Sequence, residues 1–488
     1  PQTPNPKPQT PNPKPLFTEL TKYTIIKKNM EVEKSYCCAP NIALIKYWGK
    51  LDEELNIPLN SSLSFTLDPA VLSSSTTVKI SPNLTASTFQ LNDEQPGPLP
   101  SIHQKALEFF LEKKLPLPQP QGKAHLQPAD YASWHWEIKS HNNFPTAAGL
   151  ASSASGFAAL ACTFAQIFNY FGEGVTHIGD HISQLFEKVP EVNSDEVLKA
   201  IEFVCMIRRL SGSACRSIFR GFSIFRGPEI ILSAIGKEEL LKAGPESWWK
   251  YYCLNFGITS PKISSAHLTP YLPPVLPGKN NDLFFEMLKR HFSIETTESG
   301  KFKLLLDFIS SAMPISTLFK LQGRPASALH NLESLSQNML VYAMVLNPKS
   351  KKIPSKAGMI DSSRTSTFLQ HRVATLEAKI QKALELLAET ESPVELNKLT
   401  SQDSNSFHAV CQDTWPSIRY ITDGSFRLMQ QILSDVTTKD CAVTFDAGPN
   451  PFVFSTKKAK SEVHKKLEEL GKEEAVVQII ITGAEESK

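Results

Sequence analysis

The chain has 488 residues, 41% of them apolar and 20% charged, and a formal net charge of +2. That balance suits a sizeable core shared among about two to four domains, and no basic stripe with interleaved aromatics marks a nucleic-acid partner. No run approaches 18 uncharged apolar residues, so no membrane span is expected, and the proline-rich start lacks the apolar segment of a secretory signal.

The first residues repeat, "PQTPNPK" followed by "PQTPNPK". Proline at this density removes ladder and helix donors, so residues 1–29 are expected to form a solvated, dispensable tail ahead of Met30. "EKSYCCAPNIALIKYWG" begins as a strand and runs into a loop, and "SSLSFTL", "STTVKIS" and "STFQLN" are short strands bounded by turn residues. "SIHQKALEFFLEKK" carries apolar residues at Ile102, Ala106, Phe109 and Phe110, which is helical spacing. "WHWEIKSHNNF" alternates as a strand. Helices are expected from the small-residue stretch to about Tyr170 and over Ser194–Leu210, then a strand at "RGFSIF". Residues 226–338 show no firm period beyond a helix at "NDLFFEMLKRHF", and are expected to be an insertion. The last part gives strands at "LVYAMVL", "CAVTFDA", "PFVFST" and "AVVQIIIT". Helices are expected near 365–390, 394–411 and 415–435, and at "AKSEVHKKLEELG". Strands and helices mix without βαβ regularity, which predicts an α+β fold with two lobes, 30–225 and 339–488.

The eight cysteines, Cys37, Cys38, Cys162, Cys205, Cys215, Cys253, Cys411 and Cys441, form no C-x-x-C pair and mostly sit among apolar residues. Free thiols in a reducing compartment are expected, and zinc is not.

The stretch "NNFPTAAGLASSASG", residues 142–156, holds two glycines, many small residues and no charge, and runs into a helix. Small residues let a backbone approach a ligand, and a helix start offers free N–H groups and a positive dipole end to phosphates. The spacing is not that of the G-x-x-x-x-G-K-[ST] loop. A tight packing loop would explain the same composition.

The order of residues goes further. "PTAAGLASSASG" resembles the phosphate loop of the GHMP kinase superfamily, which phosphorylates small metabolites with ATP. With it, "APNIALIKYWGK" (39–50), "SGSACRSIFRGF" (211–222), "DSNSFHAVCQDTWPSIRYI" (403–421) and "VTFDAGPNPFVF" (443–454) resemble the diphosphomevalonate decarboxylase family in the same order. Residues 1–29 and 226–338 lie outside the resemblance.

The resemblance implies a two-lobed GHMP kinase fold with its site in the cleft between the lobes. It implies Mg²⁺ and ATP, a diphosphomevalonate substrate converted to isopentenyl diphosphate with loss of phosphate and CO2, and a cytoplasmic homodimer. It implies roles as well. Asp446 is the base near the 3-hydroxyl, although a strand-end aspartate is ordinarily a turn residue. Arg216 meets the substrate carboxylate, which suits a permanently charged fork, and Asn41 holds that arginine in place. In Lys46-Tyr47-Trp48-Gly49-Lys50, Lys46 stands near the reacting centre and Lys50 on the diphosphate, while Trp48 and Trp415 are read chiefly as packing. Ser211, Gly212, Ser213, Ala214 and Cys215 line the substrate side. Pro145, Ala148, Gly149, Leu150, Ser152, Ser153, Ala154 and Ser155 form the nucleotide loop. Either Ser152 or Ser153 contacts both ligands. No metal ligand is singled out.

Two departures stand out. "SKAGM" places Lys356 where the family usually carries threonine, and no arginine follows the "LND" strand at 102–105. Other readings remain: a superfamily kinase that stops at phosphorylation, a monophosphate decarboxylase, or an inactive homologue serving as a binding module.

Overall fold

The computed structural model describes residues 31–118, 125–145, 151–187, 194–228, 255–256, 310–346 and 352–483. The proline tail, the helix expected at "NDLFFEMLKRHF", and Ala148, Gly149 and Leu150 lie outside these residues.

Three larger sheets carry the architecture. The first runs in the order Val32–Cys38, Ser74–Ser81, His135–Asn142, Thr88–Leu91 and Gly97–Pro98. Ser74–Ser81 alternates in burial, so Val78 and Ile80 face inward and pair with Ile138 and Trp136. The helix Ser152–Ile167 lies on this sheet. Its buried Ala154, Ala158, Ala159, Ala161 and Ala165 keep it close, and the Thr163 hydroxyl donates to the Thr76 carbonyl at 3.0 Å.

The second sheet is antiparallel throughout, in the order Ala312–Pro314, Gly221–Phe225, Ser62–Thr66 and Asn41–Ile45. Every residue of these strands is buried, so both faces are covered. Polar side chains are therefore tolerated only in pairs, such as Ser64 with Ser223 at 3.1 Å. Residues 312–338, within the span expected to be an insertion, supply one strand of this sheet and the helices Ile315–Leu321 and Ala326–Asn338.

The third sheet, Ala442–Phe445, Pro451–Thr456, Met339–Val345 and Gln478–Gly483, shows what period-two patterning does. Leu340, Tyr342 and Met344 point into a smaller core with Leu428, Ile432 and Leu467. Val341, Ala343 and Val345 point the other way, into the main core.

Three local expectations change. The stretch 33–49 is two strands in two different sheets, Val32–Cys38 and Asn41–Ile45, broken at Ala39-Pro40. The expected helix at 415–435 begins only at Asp423, where Thr422 and Ser425 cap each other. The expected helix near 365–390 is preceded by another, Ser355–Thr365, and Ser366 caps the second, Thr367–Glu389, through the Leu369 N–H.

One helix decides where the site lies. Val394–Asp413 packs on both Asn41–Ile45 and Ala442–Phe445, joining the second sheet to the third. The Ser401 and Ser404 hydroxyls each accept a backbone N–H at 3.0 Å, from Val443 and Phe445 respectively. Residues just past the ends of the two strands, Lys46 and Asp446, are thereby brought face to face.

Candidate active site

A cleft of about 130 Å³ lies at this junction, lined among others by Asn41, Lys46, Ser153, Ser213, Arg216 and Asp446. Its centre is an ion pair. Lys46 Nζ sits 2.7 Å from Asp446 Oδ1, with the lysine side chain 3% exposed and the aspartate 24%. Burial holds the Lys46 pKa below its ordinary value, opposed chiefly by the Asp446 charge. The aspartate precedes a tight turn in which the Gly448 N–H donates to the Asp446 carbonyl at 2.7 Å. A carboxylate at a strand end, half open to a cleft and paired to a buried ammonium, is placed to accept a proton from a bound hydroxyl.

The Lys46 backbone is held as firmly as its side chain. Its N–H donates to Asp403 Oδ2 at 2.7 Å, and its carbonyl accepts from Arg372 and from Asn60, each at 3.1 Å. Arg372 in turn grips Asp403 with two nitrogens, at 2.8 and 2.7 Å, and Lys379 adds a third contact at 3.1 Å. These charges hold the Asp403 pKa below its ordinary value against the effect of its own burial. Sequence reasoning did not single out Asp403, Arg372 or Asn60. The signal was there: "DSNSFH" places several polar side chains on a helix that has to be buried.

Arg216 leaves the short 3-10 turn Ala214–Arg216 and is 2% exposed. Its guanidinium donates to the Ser62 hydroxyl, Nε has no partner, and no carboxylate pairs with it among the described residues. Asn41 does not bond the guanidinium. Its amide donates to Thr66 Oγ1 at 2.8 Å, and that hydroxyl donates to the Arg216 carbonyl at 3.3 Å. The asparagine thus acts on the arginine backbone through Thr66, and its own Oδ1 stays unpartnered on the cleft wall.

The remaining expected residues divide. Tyr47, Trp48, Ser211, Gly212 and Ser213 line the cleft. Gly212 must be glycine, because a Cβ there would stand 2.7 Å from the Tyr47 ring. Trp48 also packs edge-on to Phe407 at 4.7 Å and donates through Nε1 to Ser362 Oγ at 2.9 Å. Trp415, read as packing, is instead 77% exposed. Ala214 and Cys215 are fully buried behind the wall. Ala154 and Ser155 face away from the cleft. Both are fully buried, and the Ser155 hydroxyl pairs with Ser74 at 2.7 Å. Gly49 turns the chain at φ 94°, and Lys50 follows on the short strand Lys50–Asp52. Ser355, Met359 and Phe407 also line the cleft and were not expected.

Two features fit a nucleotide. Ala151 adopts a left-handed φ of 56° at the start of the 16-residue helix Ser152–Ile167, and no side chain caps that helix. The positive dipole end of that helix suits an anion, and Ser153, on its first turn, lies on the lining. Pro145 is half-buried. No group of three or more His, Cys, Asp or Glu able to hold a metal occurs among the described residues. Asp446 is the sole carboxylate among the described lining residues, which suits a Mg²⁺ carried mainly by phosphates and water.

Comparison with known proteins gives a consistent result. The family model of the diphosphomevalonate decarboxylase-like N-terminal domain matches residues 38–185, and that of the mevalonate 5-diphosphate decarboxylase C-terminal domain matches 341–488. The diphosphomevalonate decarboxylases of Bos taurus and Homo sapiens are each 28% identical, covering 86% of this chain and 76% of theirs. That of Ganoderma lucidum is 29% identical over 89% of this chain and 81% of its own. The fold is that of mevalonate diphosphate decarboxylase from Staphylococcus aureus, with a TM-score of 0.57 at 22% identity over 94% of this chain and 97% of that one. The enzyme from Trypanosoma brucei gives 0.55 at 21%, over 92% and 90%.

Proposed function

Because the chain belongs to the diphosphomevalonate decarboxylase family, we propose that it uses ATP to convert (R)-5-diphosphomevalonate to isopentenyl diphosphate, releasing ADP, phosphate and CO2. The observation that carries this is the presence in one cleft of a carboxylate paired to a buried lysine and a buried arginine without a carboxylate partner. One removes a proton, the other receives a carboxylate.

Asp446 takes the proton of the tertiary 3-hydroxyl as that oxygen accepts the γ-phosphoryl group. Lys46 fixes Asp446 in place through their 2.7 Å ion pair, and its own position is locked by Asp403 and Arg372. Arg216 holds the substrate carboxylate through its planar fork. The C–O bond to the new phosphate then breaks, the C–C electron pair forms the double bond, and CO2 leaves. Ser153 and the uncapped helix start support the nucleotide phosphates, while Ser211 and Ser213 face the substrate. Mg²⁺ would supply charge neutralisation between phosphates, with Asp446 the nearest carboxylate able to meet it.

A cytoplasmic homodimer with no nucleic-acid partner belongs to the same reading. Free thiols at the seven described cysteines support a reducing compartment, and no helix among the described residues is long and apolar enough to cross a membrane. Light scattering tests the dimer. The reaction itself is tested by following ADP, phosphate and CO2 together. One equivalent of each per substrate consumed is expected. ADP with a stable phosphorylated product and no gas would establish a kinase instead.

A further inference from the structure

A second cavity lies outside the cleft, and no step of the proposed reaction uses it. Its volume is about 310 Å³ against 130 Å³ for the cleft, and the two share no lining residue among those described. At ~30 Å³ a molecule this is room for roughly ten waters, far more than a packing defect leaves. The cavity forms where the first sheet ends. Val32–Cys38 is an edge strand of that sheet, with Ser74–Ser81 as its one strand neighbour among the described residues. Tyr36 on this strand, Leu67 just past the strand Ser62–Thr66, and the segment Ser217–Arg220 face one another across the space. The helix Ile178–Glu187 closes one side, and Gly179 makes that possible. A Cβ there would stand 1.7 Å from the Ile218 carbonyl oxygen.

The lining divides by chemistry. Leu67, Ile218 and Phe219 are buried and supply an apolar floor. Two donors stand over it. The Tyr36 hydroxyl accepts the Ile178 N–H at 3.3 Å, which leaves its own proton to be donated. Burial above all raises the Tyr36 pKa, so that proton stays on. Arg220 is part-exposed, and one of its nitrogens reaches both His177 Nδ1 at 3.3 Å and Asp180 at 3.4 Å. The bridge to Asp180 is longer than the about 2.7–2.9 Å of a tight charge-assisted bond. Asp180 itself is 42% exposed and can turn to water.

We propose that this cavity binds a small monocarboxylic acid of about ten heavy atoms, with its head on Arg220 and the Tyr36 hydroxyl and its apolar body on Leu67, Ile218 and Phe219. The head is an anion because the groups above the floor donate, and because a carboxylate offers Arg220 two oxygens in place of one long bridge. It carries a single charge because Asp180 stands at the same mouth and repels a dianion more strongly. The body is apolar because nothing on the floor can hydrogen-bond to it through a side chain.

The test uses the full chain with octanoate as the probe, by calorimetry at pH 7 and low salt, beside octan-1-ol and octyl phosphate. Octanoate should bind at one equivalent, with the alcohol and the phosphate each at least about fivefold weaker. Arg220→Met should weaken octanoate about 10- to 100-fold and Tyr36→Phe about 3- to 10-fold, and Arg220→Lys should recover part of the first loss. Arg216→Leu, which removes the buried cation of the cleft, should leave octanoate within twofold. The outcome therefore does not depend on the reaction assigned to the cleft. Absence of saturable octanoate binding would overturn the proposal, as would unchanged affinity in Arg220→Met. Octan-1-ol binding as tightly as octanoate would reduce the site to an apolar hole, and tighter octyl phosphate would overturn the carboxylate head. A loss seen in Arg216→Leu and not in Arg220→Met would place the probe in the cleft and remove the second site.

Discussion

Arg216 and Arg372 are each 2% exposed, and each sits within the same few side chains of Lys46. They do opposite things. Arg372 spends its fork on Asp403, with two bonds of 2.8 and 2.7 Å, and on the Lys46 carbonyl. Arg216 has a hydroxyl, a ring face 5.7 Å away on Phe225, and no carboxylate among the described residues. Burial holds the Arg216 pKa below its ordinary value. The contrast teaches that burial alone does not mark a functional charge. What marks it is a buried charge whose partner is missing from the protein and has to come from the ligand.

The largest effect expected is on the reaction that Arg216 and Asp446 share. Asp446→Asn keeps the shape and removes the base, so kcat should fall about 10²–10⁴-fold. KM should stay within several-fold, because Arg216 and the lysines still hold the anions. The same variant loses half of the ion pair to Lys46, a group already under desolvation. Retention of more than about a tenth of kcat would return Asp446 to the role of a turn residue.

A paired substitution then breaks the comparison directly. Arg372→Leu leaves Asp403, which is fully buried, with Lys379 as its remaining side-chain cation. Removing one member of a buried pair costs about 3–5 kcal/mol, read as a lower urea midpoint at unchanged m-value. Arg216→Leu removes a buried charge that forms no ion pair among the described residues and meets only the field of Asp446 across the cleft. Its stability should equal or exceed the original by up to about 2 kcal/mol, while KM for the substrate rises. If both variants lose stability equally, Arg216 is as structural as Arg372.

Much of this was legible beforehand. The α+β fold followed from the alternation of short strands with long helices. Lys46, Arg216 and Asp446 were named from motifs whose residue order is unusual, and the cleft gathers all three. What stayed hidden depended on three-dimensional proximity. Asp403 and Arg372 lie 31 residues apart on two packed helices, and neither periodicity nor composition says that they meet under Lys46. Ser155 reads as one more hydroxyl of the loop, yet on the helix it turns to the sheet and meets Ser74. Trp415 reads as packing because tryptophan is large, and only its position beyond the helix end at Asp413 shows that it is left in solvent.

The smallest effect concerns a buried group that meets the same problem in another way. His103 lies between Phe89 and Phe157, with ring centroids 4.1 and 5.5 Å away, and its Nδ1 has no partner. A guanidinium cannot discard its charge, but an imidazole can. Burial brings the His103 pKa down to about 4 from an ordinary 6.5. Between these values the unfolded chain binds a proton that the folded chain refuses, so stability is lost as pH falls from 6.5 toward 4 and is unaffected above 6.5. At pH 5 the loss from this one group is about 2 kcal/mol. Replacing it with an aromatic ring that cannot titrate should remove this part of the acid sensitivity. The difference in unfolding free energy between pH 7 and pH 5 should therefore be about 2 kcal/mol smaller in His103→Phe than in the original chain. Because other titrating groups are common to both proteins, they cancel in that comparison. The same difference in the two proteins would mean that His103 takes up its proton in the folded state, and that its neighbours open to let it.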